Sequence, residues 1–424
     1  MIIGSKDARF NVQYILNQLT RAACGLTSST TIEQCETVMP VVWLALATFA
    51  IGTEAFVIAG LLPAISSDLG ISAPAAGQLV TAYSLAYAIG SPLLAVLFNN
   101  VDRKMALAMA LSAFIAGNLL AIVAPGFLLL MASRVLMALG AGLCTPTAMG
   151  IAVAISAPER RGRAVALVTS GVTVATVIGV PLGTFVGNQV TWRATFGLVA
   201  ALGALALVGV LLRLPRNLPA TTASFADRLA VARHESVVYA ILTTMLWAIG
   251  GLTVFTYLAV PLQLIGFSSS DVSLALLVFG CAAAVGNMLG GHLADRLGPI
   301  PTMAMSLFGM AMALVLLSAA LKVAAPDLGR YLVLLPVFAW GICGWSFFPA
   351  QAASLIRIEP QAATIALSLN ASFMYLGFAI GGALGGIVLS TAAPADLGWV
   401  GGLSVGAGLA VLVGRYRRER LKVA

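Results

Sequence analysis

The chain has 424 residues, of which 60% are hydrophobic and 9% charged, and its mean hydropathy is +1.01. So few charges cannot solvate a globular surface of this size, which excludes a soluble domain and implies an all-α protein crossing a bilayer many times. The formal charge of +8 would suit a nucleic-acid binder, but its distribution assigns it to membrane topology, so no nucleic-acid partner is expected.

Residues 1–38 carry Lys6, Asp7, Arg9, Arg21, Glu33 and Glu36 among polar residues. They lack the apolar run of about 7–15 residues that a signal peptide needs. They are expected to be a cytoplasmic tail; a second reading starts translation at Met39, directly before the first span. Residues 39–63, MPVVWLALATFAIGTEAFVIAGLLP, then supply the ~20 apolar residues of a membrane crossing with a carboxylate, Glu54, in the middle. An ionisable residue there costs at least ~2.5 kcal/mol on insertion scales and is read as functional by default.

Apolar runs separated by turn and charge signals predict twelve spans, at 41–62, 76–98, 105–124, 127–154, 164–187, 195–213, 237–264, 272–293, 301–321, 331–349, 363–390 and 397–414. Twelve crossings put both termini on one side. Of the 23 Lys and Arg residues, 19 fall on that side, three on the other and one, Arg134, inside a span. By the positive-inside rule both termini face the cytoplasm, in a multi-pass protein of the cell membrane. The polar stretch 214–236 divides six spans from six, with bundles at 39–213 and 237–414 and a basic tail at 415–424. Within it Phe225, Leu229 and Ala232 have the spacing of a short amphipathic helix, and an unstructured linker fits as well.

The two halves repeat each other. Ala50-Ile51-Gly52 followed by Pro63 recurs 198 positions later as Ala248-Ile249-Gly250 followed by Pro261; Gly179, Gly183 and Gly187 recur at the same offset as Gly377, Gly381 and Gly385. Gly90 has its counterpart at Gly286. Two pseudo-symmetric six-helix bundles around a central cavity are a known architecture of secondary transporters.

With these motifs the sequence resembles the major facilitator superfamily, in its twelve-helix drug/proton antiporter branch, over residues 39 to the end of span twelve. Gly291 to Gly298, GHLADRLG, is similar to the family's G-x-L-A-D-R-x-G motif between spans eight and nine, including Asp295 and Arg296. The first-half copy keeps Asp102, Arg103 and Lys104 but has Asn99 where the motif has its acid. Arg134 with Gly140 and Gly142 resembles the span-four motif. Gly179-Val180-Pro181-Leu182-Gly183 resembles the span-five antiporter motif, with Thr184 where a second Gly is usual. The resemblance implies a cytoplasmic gate at Asp102, Arg103, Gly291, Asp295, Arg296 and Gly298, and a packing motif at Gly179, Pro181 and Gly183.

Glu54 lies ~13 Å from Pro63, and Arg134 ~12 Å from Gly126, at matching depth. Their repeat counterparts are Leu252 and Leu332. Either they are a permanent ion pair that fixes packing, or Glu54 alternates between protonated and ionised and couples protons to transport. Small residues four apart at Gly171, Ala175, Gly179, Gly183 and Gly187 let helices approach closely, and Pro181 among them bends its helix locally. Thr169, Thr173 and Thr176 either line the cavity or bond back to their own helix. Tyr83, Tyr87, Asn370 and Phe373, with Trp340 and Trp345, are further cavity candidates, whereas Trp192 with Arg193 reads as an interfacial anchor.

Five Cys without a CxxC pair predict neither disulfide nor metal site. No HExxH, Walker A or plausible GxSxG motif supports an enzyme or an ATP-driven pump, so no cofactor is expected and the energy source is a proton gradient. The expected function is proton-coupled export of small organic molecules, including drugs, by a monomer in the lipid bilayer. The alternatives are a sugar or nucleoside exporter or facilitator of the same fold without proton coupling and, more remotely, a non-transporting receptor or scaffold.

Overall fold

The computed structural model describes residues 29–215, 218, 230–323 and 331–423. It contains twelve helices long and apolar enough to cross a membrane: α1 (Met39–Leu69), α2 (Ala73–Leu97), α3 (Arg103–Ile122), α4 (Phe127–Ile155), α5 (Pro158–Gln189), α6 (Trp192–Arg213), α7 (Glu235–Leu264), α8 (Ser269–Leu297), α9 (Pro299–Val323), α10 (Tyr331–Ile358), α11 (Ala363–Thr391) and α12 (Pro394–Arg418). No strand occurs among the described residues. All twelve expected spans are present, and most are longer than their apolar runs. The helix of α1 begins at Ser29 and runs through Pro63 to Leu69, where Gly70 takes a φ of 62° and ends it. One proline removes only one intrahelical bond, so Pro63 marks no boundary. Phe225 and Leu229 lie outside the described residues; 230–232, which includes Ala232, is helical.

Each half packs by the same device. In the first, the small-residue ladder of α5 lies on α1, with Gly171 against the Ala45 carbonyl and Thr48, Gly179 against Thr53, Gly183 against Val57 and Gly187 against Leu61. Thr48 Oγ1 donates to the Val168 carbonyl of α5 at 2.5 Å, a bond that only closely approaching backbones allow. In the second, Gly377, Gly381 and Gly385 of α11 lie against Met245, Ile249 and Thr253 of α7. The sequence repeat at offset 198 is therefore a repeat of helix contacts. Two other pairs match in the same way: Gly142 of α4 on Ser91 of α2, and Gly286 and Gly290 of α8 on Ile342 and Ser346 of α10.

Two helices are interrupted, each beside a proline. In α5, Ala175–Gly179 is a π-helical turn in which the Val180 N–H reaches back to the Ala175 carbonyl. Pro181, which has no N–H, follows directly, and the ladder is re-aimed there instead of simply bent. In α7, regular helix stops at Phe255 and resumes at Ala259. Pro261 cannot donate to the Tyr257 carbonyl four residues back, which accepts from the Val260 N–H at 2.9 Å.

The halves meet at the end of the bundle away from the termini, called here the far end. Gly382 of α11 lies against Thr81 of α2, and Gly386 against Gln78. Tyr257, freed by the break in α7, wedges between Gly77 of α2 and Gly385 of α11 and donates its hydroxyl to the Gly382 carbonyl at 2.9 Å. At mid-depth Gly280 of α8 sits on the Thr176 carbonyl of α5. At the near end, which holds the termini, the second half carries an apolar cluster of its own, with Val231, Val237, Ile241 and Leu355 separate from the main core.

Candidate functional site

Glu54 and Arg134 meet. Helix α1 carries Glu54 in its middle, and α4 brings Arg134 to the same depth; the Arg134 Nη1 and Glu54 Oε1 form an ion pair with both side chains 0% exposed. Arg134 does more than neutralise the acid. Its Nε donates to the Leu79 carbonyl of α2 at 3.3 Å, and its guanidinium lies over the Tyr83 ring at 4.4 Å. The site thus ties α1 and α4 to α2, the helix that closes the far end. The counterparts Leu252 and Leu332 behave differently: Leu252 borders the cavity described next, and Leu332 is exposed.

A cavity of about 40 Å³ is walled by eight aromatic rings. The second half supplies seven, among them Trp247, Phe255, Phe279, Trp340 and Trp345, and the first half supplies Phe56. Phe56 stands edge-on to Phe255 at 5.8 Å, to Phe378 at 6.2 Å and to Trp345 at 6.4 Å, the offset geometry aromatic rings prefer. Glu54 and Phe56 are two residues apart, about 200° around the helix. One helix therefore turns its carboxylate into the first half and its ring into the second.

The remaining candidates fall into separate places. Of the three threonines, Thr176 borders the cavity while bonding back to the Thr173 carbonyl at 2.7 Å. Thr169 bonds back to Val165 and Ala166; Thr173 is half-buried and outside the wall. Tyr83 and Tyr87 are buried in the α2–α11 seam instead of the cavity wall: Tyr87 stacks on Tyr375 with centroids 3.6 Å apart, and Tyr83 is 6.5 Å from the same ring. Phe373 is exposed. Asn370 accepts from the Thr244 hydroxyl at 2.7 Å and from the Gln351 amide at 3.2 Å. Gln351 and Thr244 were not among the expected residues, because the expected span ten stopped at 349 and one threonine in an apolar span is unremarkable by pattern.

The two copies of the gate motif differ. In the first half Asp102 caps α3 through the Met105 N–H at 3.1 Å and accepts from the Leu218 N–H at 2.9 Å. Arg103 donates to the Gly150 carbonyl at 2.9 Å, and Lys104 to Leu214 at 2.6 Å. This copy holds the start of the central linker without the missing acid. In the second half Asp295 and Arg296 are exposed and make no ion pair among the described residues. Gly298 ends α8 with a φ of 90°, a conformation that favours glycine. Trp192 is buried, and its indole and Arg193 both donate to Asp68, at 3.0 and 2.6 Å.

Comparison with known proteins accords with this geometry. The model of the Major Facilitator Superfamily matches residues 44–268 and 252–423. An MFS-type transporter of Bacillus subtilis (strain 168) is 35% identical over 363 residues, 85% of this chain and 92% of its own length. The chloramphenicol resistance protein of Streptomyces lividans is 35% identical over 263 residues, 61% of this chain and 67% of its own. Among solved structures, a D-xylose-proton symporter superposes with a TM-score of 0.72 at 16% identity, covering 88% of this chain and 96% of that one; at this identity the likeness is one of fold.

Proposed function

The chain belongs to the Major Facilitator Superfamily, and from that premise we propose that it is a proton-coupled exporter of small, largely apolar organic molecules. It works by alternating access, with both termini in the cytoplasm. The observation that carries the coupling is the ion pair Glu54–Arg134, with both side chains 0% exposed. A buried pair replaced by apolar residues of similar volume is often neutral or more stable, so packing alone gives little reason to keep it. The pair has no counterpart in the second half, and one helix joins it to the cavity through Phe56. Protonation of Glu54 ends its attraction for Arg134, which also grips α2 through Leu79 and Tyr83. A proton entering from outside would then bias the far end, and its release to the cytoplasm would reset it.

The substrate class follows from the wall. Eight rings and a single hydroxyl, that of Thr176, border the cavity, so shape and apolar contact dominate recognition. A sugar would find few hydrogen-bond partners in that wall. Pockets for drug-sized ligands measure about 300–1,000 Å³, so at about 40 Å³ the rings must part for loading. The likeness to a chloramphenicol resistance protein supports export of this class.

The test is uptake of chloramphenicol and tetraphenylphosphonium into inside-out vesicles with an acid interior. Wild type accumulates a probe only while the gradient stands. Glu54→Gln still inserts but loses gradient-driven uptake, and it is less stable in detergent by about 3–5 kcal/mol because Arg134 is left uncompensated. The double variant Glu54→Leu/Arg134→Leu regains stability without regaining uptake. If the double variant pumps as wild type does, the pair is structural and the coupling reading falls.

A further inference from the structure

The polar groups beneath the aromatic cavity point to a binding subsite. Thr244 of α7, Gln351 of α10 and Asn370 of α11 form one hydrogen-bonded cluster inside the second half. Thr244 is 0% and Gln351 2% exposed, and Asn370 is half-buried. The Gln351 Nε2 lies 2.8 Å from the Ala240 carbonyl, 2.8 Å from Thr244 Oγ1 and 3.2 Å from Asn370 Oδ1. The Thr244 hydroxyl donates to Asn370 Oδ1 at 2.7 Å.

The Ala240 carbonyl fixes the Gln351 amide. Turning the Gln351 amide over would set its oxygen against the Ala240 carbonyl at 2.8 Å, an acceptor that cannot donate. Two functions are left over in the cluster. Gln351 Oε1 is buried and makes no hydrogen bond, and the Asn370 NH₂ bonds to no group among the described residues. Interhelical glue needs no such surplus. A buried acceptor without a partner costs about 1–3 kcal/mol, which a ligand donor would recover.

The cluster sits where a substrate leaving the near end for the cavity would pass. Trp247 follows Thr244 by one turn of α7, Phe348 precedes Gln351 by one turn of α10, and Phe378 follows Asn370 by about two turns of α11; all three rings border the cavity. No charged residue takes part in these hydrogen bonds, which suits an uncharged polar group.

We infer that Gln351 and Asn370, positioned by Thr244, form a neutral hydrogen-bonding subsite on the near-end side of the aromatic cavity, one acceptor beside one amide donor. It takes the amide or hydroxyl group of a ligand whose aromatic part lies among the rings. This rests on the export of small apolar molecules proposed above and narrows it to molecules with one aromatic and one uncharged polar end.

Two probes separate the subsite from the rings. Chloramphenicol carries an amide and hydroxyls on an aromatic body; tetraphenylphosphonium has four rings and no hydrogen-bonding group. Their affinities for the purified full-length protein are read by quenching of tryptophan fluorescence, for wild type, Gln351→Met and Asn370→Leu. The ratio of chloramphenicol to tetraphenylphosphonium affinity falls at least about tenfold in each variant, equivalent to about 1.4 kcal/mol. A ratio that stays within twofold, whether both affinities drop together or neither changes, assigns the cluster to helix packing and overturns the subsite. Wild type that binds tetraphenylphosphonium but not chloramphenicol also overturns it and leaves the export reading standing. Wild type that binds neither probe overturns that reading itself, and the subsite with it.

Discussion

Arg134 divides one guanidinium among three neighbours: the Glu54 carboxylate, the Leu79 carbonyl at 3.3 Å and the face of Tyr83 at 4.4 Å. Only a planar, delocalised cation can serve all three, since a lysine ammonium is a compact point charge on a flexible stem and cannot stack while it bonds sideways. Arg134→Lys therefore keeps the charge and the ion pair with Glu54 but loses the hold on α2. We expect gradient-driven uptake in inside-out vesicles to fall by about tenfold or more, with the protein still folded and inserted. Uptake at the wild-type rate would mean that the charge alone suffices. The matching depth of Glu54 and Arg134 was legible in the sequence from their distances to the span ends. That Leu79 and Tyr83 complete the site was not, because a backbone carbonyl has no sequence signature and a tyrosine in a span is usually packing.

At the scale of one helix, α5 shows how spacing becomes contact. Its small residues recur every four positions, so they share a face, and that face lies on α1 with Gly179 against Thr53 and Gly183 against Val57. Glycine is required at this seam for close approach, not for backbone conformation. Gly179→Val would drive a branched side chain into Thr53, the residue next to Glu54, at a typical overpacking cost of about 1–3 kcal/mol. We expect a lower melting temperature in detergent and weaker coupling; a variant with unchanged melting would show that α1 and α5 separate without penalty. The ladder itself was plain in the sequence. The π-helical turn at Ala175–Gly179 was not, since Pro181 signals a distortion but not which backbone bonds absorb it. The extent of α10 was likewise hidden. Pro349 and the polar Gln351 look like the end of a span, yet the helix continues to Ile358, because groups on α7 accept from the Gln351 NH₂ in the interior.

For the whole molecule, the far end is closed, and at the other the motif copy at Asp295 and Arg296 makes no ion pair among the described residues. Tyr257 and the α2–α11 contacts hold the closed end, and a carrier must break them once per cycle. The Thr81 hydroxyl lies 3.0 Å from the point where a side chain on Gly382 would begin, close enough for a disulfide. In a cysteine-free background, Thr81→Cys/Gly382→Cys is expected to cross-link on oxidation, to stop transport, and to resume it on reduction. Transport that continues through the oxidised bridge would mean that this end does not open.

The sequence by itself determined that the protein is helical and spans a membrane twelve times, that its halves repeat, and that one acid and one base lie at the same depth in the first half. Composition, period and spacing record these properties directly, since each is read from residue types and their separations along the chain without knowing which helices touch. The tertiary structure alone decided which rings meet around Phe56, where α7 breaks to release Tyr257, and that Thr244, Gln351 and Asn370 share one set of hydrogen bonds. Those outcomes depend on how far each helix is rotated about its own axis. That rotation is set by the sum of contacts with several neighbours at once, which no single helix encodes.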